Sequence, residues 1–284
     1  MNRSQLIQQI RNKKSYLCIG LDTDSTKLPK HLLDKADPVF EFNKAIIDAT
    51  KDFCVSYKIN TAFYESQGMK GWESMEKTLY YIPETHLKIA DAKRGDIGNT
   101  SSQYAKTFFE VFPFDAITVA PYMGEDSVRP FLEYENKWTI VLGLTSNTGG
   151  NDFQQLLVTG QFQDQTMVPH ITQGNTEKRL YEKVLEKVAS WGTPDNLMFV
   201  IGATRASELE NIRSIIPEHF LLVPGVGAQG GSIEAVSKYG MNNDYGLLVN
   251  ASRAIIYAST GTDFANVASS IAEGYRNEMS IFLK

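Results

Sequence analysis

A hydrophobic run ends at Ile89-Ala90, and the next six residues place Asp91, Lys93, Arg94 and Asp96, with Thr100 just beyond. Carboxylates and ammonium groups at this density can grip an anion, stabilise charge that develops during a reaction, or pass a proton. In a strand, residues two apart share a face, so Asp91 and Lys93 point together with Ile89 one layer below. Lys58 stands in the preceding apolar run, SYKIN. The residues alone therefore predict one alternating network of Lys58, Asp91, Lys93 and Asp96. The plainer reading is an ion-pair network that caps a strand end. Arg94 lies one position off the Asp91/Lys93 face and is expected only to pair at the surface. Thr100 or Ser101 is as well suited to capping the helix SSQYAKTFF as to a functional role.

A second group lies far along the chain. Residues 224–231 read PGVGAQGG and lead into a helical pattern, with Gly225, Gly227 and Gly230 in a G-x-G-x-x-G spacing. A dinucleotide site needs an acidic residue at the end of the next strand. That strand ends in Asn250-Ala251-Ser252-Arg253, where a cation stands instead. Glycines that let backbone N–H groups approach an anion, with Arg253 as a planar fork of donors and Gln229 as an amide donor, read better as a phosphate site. The plainer reading of Arg253 is a surface salt bridge.

These groups need a scaffold that brings distant strand ends together. Eight short apolar runs recur, at 16–22, 54–60, 87–93, 116–120, 139–145, 197–203, 220–225 and 246–252. Amphipathic stretches separate them, among them FEFNKAIIDATKDF, SSQYAKTFFEVF, EKRLYEKVLEKVASW and GSIEAVSKYG. Strand then helix, eight times over, predicts a closed parallel (β/α)8 TIM barrel, an α/β fold in one domain over residues 1–284. The alternative is an open doubly wound sheet. A polar, Gly/Gln-rich insertion is expected at about 146–175, after the fifth strand and so on the face where barrel enzymes act. Loops after strands seven and eight of such barrels commonly hold phosphate, so a phosphorylated substrate would reach from Arg253 to the Lys/Asp cluster.

Composition narrows the classes. The 284 residues are 42% hydrophobic and 21% charged, with a net charge of −5. That balance argues against a nucleic-acid binder. Cys18 and Cys54 sit in apolar runs and are expected to be buried free thiols; with four scattered histidines they give no metal spacing. The N-terminal stretch has no apolar core of a signal peptide, and no run approaches the ~20 apolar residues of a membrane span. A cytoplasmic location is expected.

DAKRGDIGNT, with GLDTD, VSYKIN, GLTSNTGG, VPGVGAQGG and NASRAIIYA in that family's order, resembles the orotidine 5'-monophosphate decarboxylase family, in the form of its longer bacterial branch. The resemblance spans about residues 16–258. It implies decarboxylation of orotidine 5'-monophosphate to uridine 5'-monophosphate in pyrimidine biosynthesis, without cofactor or metal, by a homodimer with shared active sites. It implies that Asp22 touches ribose, that Lys58 binds a ribose hydroxyl and buttresses the cluster, that Asp91 sits by the substrate carboxylate, and that Lys93 protonates C6. Asp96 and Thr100 would reach into the partner's site. Ser146 would contact the pyrimidine, and Gln229 and Arg253 the phosphate, with Pro224 and Ser252 beside them. Two positions depart from the family's usual pattern: Thr148, where relatives often have Pro, and Ser252, where many have Gly. The rival readings are a magnesium-dependent decarboxylase or aldolase of keto-sugar phosphates on the same kind of barrel, and a non-catalytic phosphoribosyl-binding barrel.

Overall fold

The structure is a computed structural model that describes residues 1–158, 177–227 and 230–283. Its eight barrel strands are β1 (Leu17–Gly20), β2 (Ser56–Asn60), β3 (Leu87–Arg94), β4 (Ala116–Val119), β5 (Trp138–Leu144), β6 (Leu197–Ile201), β7 (Phe220–Pro224) and β8 (Leu247–Ala251). Each pairs in parallel with its neighbours, and β1 pairs with both β2 and β8, so the sheet closes. The open sheet is thereby excluded. All eight runs read from the sequence are strands, each within a few residues of its expected ends. They are buried on both faces, which is why they read as continuous apolar runs rather than as alternation.

The intervening helices start where the local chemistry says they should. Asp37 caps Pro38–Thr50 by accepting the Phe40 N–H, with Pro38 preset for the first turn. Ser232 caps Ile233–Gly240 by accepting from Ala235. The apolar faces of these helices pack on the barrel, and large side chains such as Phe131, Trp138 and Phe199 are fully buried. Truncating one of these to Ala would cost about 3–5 kcal/mol. Cys18 and Cys54 are buried free thiols, as expected, and burial pushes them up to about 12 and about 11 respectively. Among the described residues no helix is long and apolar enough to cross a membrane. Of the insertion expected at about 146–175, the part from residue 159 on lies outside the described residues. Its start, Thr148–Asp152, is a 3₁₀ turn.

Candidate active site

The C-terminal ends of the strands surround a cavity of about 280 Å³. On one side of it runs a chain of alternating charge. Lys58 is 4% exposed, and its Nζ lies 3.3 Å from Asp22 Oδ1 and 2.9 Å from Asp91 Oδ2. The other oxygen of Asp91 lies 2.5 Å from Lys93 Nζ. Burial weighs against charge on Lys58, but the carboxylates of Asp22 and Asp91 outweigh it and hold the ammonium well above its usual range. Burial likewise opposes the charge of Asp91, and Lys58 and then Lys93 hold it well below the usual carboxylate range. Both ions are thus fixed in their charged forms by each other. Lys93 differs from Lys58 in access: its side chain is 52% exposed, against 5%.

The sequence dictates this placement through three devices. Parallel pairing of β2 and β3 sets Lys58 opposite Ile89 and Asn60 opposite Asp91, so Lys58 and Asp91 emerge side by side. Two tyrosines clamp the turn after β1. Tyr64 Oη donates to Leu21 O at 3.0 Å, while Tyr257 Oη donates to Asp22 O at 3.1 Å and accepts the Asp24 N–H at 2.6 Å. Behind Tyr64, Asn43 is fully buried and bonds Tyr64, Thr23 and Thr78. Asp22 is therefore fixed before any ligand arrives. The third device is an irregularity in β3. Its register against β4 shifts between Ala90 and Arg94, and Lys93 is left-handed, with φ +45°. Thr118 of β4 meets that irregularity, accepting the Lys93 N–H at 2.9 Å and donating to Asp91 Oδ1 at 3.1 Å.

The irregularity corrects the network expected from the residues alone. Asp96 is not its fourth member; Asp22 is. After the left-handed Lys93 the chain no longer follows the strand's alternation, and Asp96 turns back to accept the Ile97 N–H at 2.8 Å. Thr100 is exposed, and it does not line the cavity. Neither it nor Ser101 caps the helix: Gly98–Lys106 is entered from Ile97 without a side-chain cap, and Ser101 Oγ donates to Ser127 O at 2.7 Å. Arg94 does pair, with Glu65, and it also lies 5.5 Å over the rings of Tyr104 and Phe108, so it anchors the strand from behind rather than at an open surface.

The opposite side of the cavity is built from β7 and β8. Pro224 ends β7, and Gly225 follows at φ +97°, a conformation that an L side chain resists. Ser252 nests over β1: its Oγ accepts from Asn250 Nδ2 at 3.3 Å and fills the place where a Cβ on Gly20 would come within 1.9 Å. The departure at Ser252 is thus accommodated by the missing side chain of Gly20. Arg253 is exposed and lines the cavity, and its guanidinium makes no hydrogen bond or ion pair with any described residue, so it is not the surface salt bridge of the plainer reading. Ser146 and Leu142, from the end of β5, complete the wall. Gln229 lies outside the described residues. Among the described residues no three His, Cys, Asp or Glu side chains converge in a way that could hold a metal ion.

Of the residues singled out in the sequence, Asp22, Lys58, Asp91, Lys93, Ser146, Pro224, Ser252 and Arg253 meet at this one cavity. Thr118 and Asn250 line the same space and were not among those expected. The available signal was a hydrogen-bonding residue inside an otherwise apolar strand, in AITVA and in LLVNA.

Fold and charged mouth together define a (β/α)8-barrel enzyme. The family described as "Orotidine 5'-phosphate decarboxylase / HUMPS family" matches residues 15–266. A Flavobacterium johnsoniae orotidine 5'-phosphate decarboxylase is 57% identical, over 99% of this chain and 97% of its own. A solved Leishmania donovani OMP decarboxylase is 33% identical over 99% of this chain and 100% of its own, with a TM-score of 0.79. A Leishmania donovani UMP synthase is 34% identical with a TM-score of 0.79, over 96% of this chain; the chain spans 56% of that synthase's length. The chain belongs to the orotidine 5'-phosphate decarboxylase / HUMPS family.

Proposed function

We propose that the mouth of this barrel converts orotidine 5'-phosphate to uridine 5'-phosphate and CO2 by electrostatic stabilisation centred on Lys93. The activity is that of a carboxy-lyase in pyrimidine biosynthesis, the one named for relatives that match nearly the whole chain at more than half identity. Those names decide against the keto-sugar-phosphate rival and against a non-catalytic barrel. The observation that carries the mechanism is the alternating chain Asp22–Lys58–Asp91–Lys93, which presents one accessible ammonium to the cavity beside a carboxylate that cannot readily take a proton.

The C6–carboxylate bond breaks, its electron pair stays on C6, and CO2 departs. The Lys93 ammonium stabilises that pair and then donates its proton to C6; solvent returns a proton to the amine. Preorganised charge of this kind, in a water-poor site, is usually the largest contribution to rate. Asp91 fixes the ammonium and faces the leaving carboxylate. Lys58 holds Asp91 and, with Asp22, meets the ribose hydroxyls. Arg253, Ser252, Pro224 and Gln229 receive the phosphate, and Ser146 receives the pyrimidine. Binding energy from the phosphate, remote from C6, drives exclusion of water around the reacting carbon.

Assembly completes the proposed site. Asp96 and Thr100 serve the partner's site across a two-fold axis. Asp96 lies beside exposed Ile97, and the loop after β4 carries exposed Tyr122 and Met123, with Met123 3.7 Å from a Cβ built on Gly95. An apolar patch beside an otherwise unused carboxylate suits a second copy of this chain. We read the chain as one domain over 1–284, placed in the cytoplasm, that takes a small molecule and neither nucleic acid nor membrane as partner.

The direct test is the fall in orotidylate ultraviolet absorbance on adding purified protein after exhaustive chelation. Turnover is expected to be unchanged by chelation. Activity that is lost with EDTA and restored by magnesium would overturn a mechanism centred on Lys93 alone.

A further inference from the structure

We propose that Thr118 is a positioning residue for the reaction, holding the Lys93 backbone and the Asp91 carboxylate in one geometry. The proposal rests on the catalytic roles proposed for Lys93 and Asp91, and it concerns what keeps them in place.

The register of β3 on β4 is irregular. Ala90 pairs with Ile117 and Arg94 pairs with Val119, so four steps along β3 are matched by two along β4. The surplus is a bulge, and bulges re-aim side chains at the rims of barrels. Its cost is local: Lys93 is driven to φ +45°, in the left-handed region, and its N–H leaves the regular ladder. A buried N–H without a partner is rare in a stable fold, so some group must take it. Thr118, the residue between the two paired positions, takes it on Oγ1 at 2.9 Å.

A hydroxyl that accepts on a lone pair still has one hydrogen to give. Thr118 gives it to Asp91 Oδ1 at 3.1 Å, the same oxygen that meets Lys93 Nζ at 2.5 Å. One side chain thus closes a ring: Lys93 backbone to Thr118, Thr118 to Asp91, Asp91 to the Lys93 ammonium. The ring fixes both ends of Lys93 relative to the carboxylate. Thr118 is 1% exposed and β-branched, so its χ1 has little freedom and its hydroxyl points one way. Among the described residues Thr118 alone is hydrogen-bonded to both the Lys93 N–H and the Asp91 carboxylate; Lys58 Nζ bonds Oδ2 of Asp91 and Asp22 but not the Lys93 backbone.

The shape of threonine supplies the test. Thr118→Val keeps the branch and the volume and removes only the hydroxyl; Thr118→Ser keeps the hydroxyl. Loss of a hydrogen bond to a charged group predicts that Thr118→Val lowers kcat about 10–100-fold, while the Kd for uridine 5'-monophosphate stays within about twofold. Thr118→Ser is expected to keep kcat within about fivefold of the native enzyme, which separates the hydroxyl from simple packing. Thr118→Ala, read the same way, stands in if the Val variant does not fold by circular dichroism. Lys93→Ala is measured alongside. If Lys93→Ala loses turnover while folded Thr118→Val or Thr118→Ala keeps it within about threefold, or if Ser and Val lose it equally, the assignment of Thr118 is overturned and the role of Lys93 stands. If Lys93→Ala itself turns over normally, the mechanism and this inference fall together.

Discussion

Two arginines at opposite ends of the barrel show how the fold separates stability from function. At the N-terminal end, Arg213 spends its guanidinium on the carbonyls of Gly240, Ile216, His219 and Gly246, at 2.6, 3.2, 2.6 and 2.8 Å. Arg3 beside it does the same with Pro194 and Glu218 and pairs with Asp244. At the C-terminal end, Arg253 spends nothing on any described residue and faces a cavity. A cation whose donors are satisfied by carbonyls is part of the scaffold. A cation whose donors are taken by no described residue, beside glycine-rich backbone, suits an anionic ligand. The two lysines of the charged chain repeat the contrast within one site: Lys58 is buried between carboxylates, and Lys93 is held by one of them and otherwise faces outward.

The contrast breaks most sharply at Lys93. Lys93→Ala is expected to lower kcat by several orders of magnitude, each tenfold corresponding to ~1.4 kcal/mol of lost transition-state stabilisation. Because the side chain is half-exposed, the urea midpoint should hardly move. A loss of tenfold or less in folded protein would remove Lys93 from the chemistry. The same variant tests the shared site. Mixed with inactive Asp96→Ala and allowed to exchange subunits, it should recover about a quarter of native activity, since about half the dimers are mixed and each of these has one intact site. No recovery would return Asp96 to its own chain.

The opposite end should respond the other way. Arg213→Leu leaves several partly buried carbonyls without a donor, at ~1–3 kcal/mol for each group left unsatisfied, so a loss of about 3 kcal/mol or more is expected by urea unfolding. The kcat of the fraction that remains folded should match the native value. A variant with native stability and reduced kcat would abolish the division between the two ends.

Arg253→Ala carries a smaller effect, on binding. Removing a charged fork from phosphate should weaken uridine 5'-monophosphate about 10–100-fold, from the ~1.5–3 kcal/mol of a charge-assisted hydrogen bond, and leave uridine within about twofold. Calorimetric titration of both ligands decides it, because equal losses would show that Arg253 does not meet the phosphate.

What was legible in the sequence follows the same division. Strand runs are written in composition, because a strand buried on both faces has no other way to be stable, and all eight were readable. The members of the charged chain were readable in type, and Lys58 with Asp91 in position, because strand pairing alone makes them neighbours. The place of Asp96 was not, because a bulge and one left-handed residue cancel the two-residue alternation from which it was expected. Asp22 as a partner of Lys58 was hidden for another reason: it depends on Tyr64 and Tyr257, whose hydroxyls reach the β1 turn from elements 43 and 235 residues away in sequence. Packing of that range leaves no local pattern.

The smallest effect separates the two ends by pH. His219 is buried beneath the barrel with neither ring nitrogen hydrogen-bonded, against the ring of Phe199. Burial, then the charges of Arg3 and Arg213, push it down to about 4. Burial and Lys13 bring His86 to about 4 as well. An unfolded histidine takes its proton near ~6.5, so between about pH 6.5 and 4 the unfolded chain binds more protons than the folded one. Stability therefore rises with pH across that window and is lost as pH falls through it. The loss is up to about 3 kcal/mol for each histidine, at ~1.4 kcal/mol for every pH unit that separates the folded from the unfolded midpoint. The mouth contributes little there: Asp91 is held too low to take a proton, and Lys58 too high to lose one. His219→Phe is expected to flatten roughly half of the slope in urea unfolding between about pH 6.5 and 4.5, since two histidines share it. Lys93→Ala, at the other end, should keep the native slope. An unchanged slope in His219→Phe would mean that His219 is protonated in the fold, and the acid sensitivity would then have to arise elsewhere, with His86 and the carboxylates of Asp37 and Glu84, which the fold holds low, the first places to look.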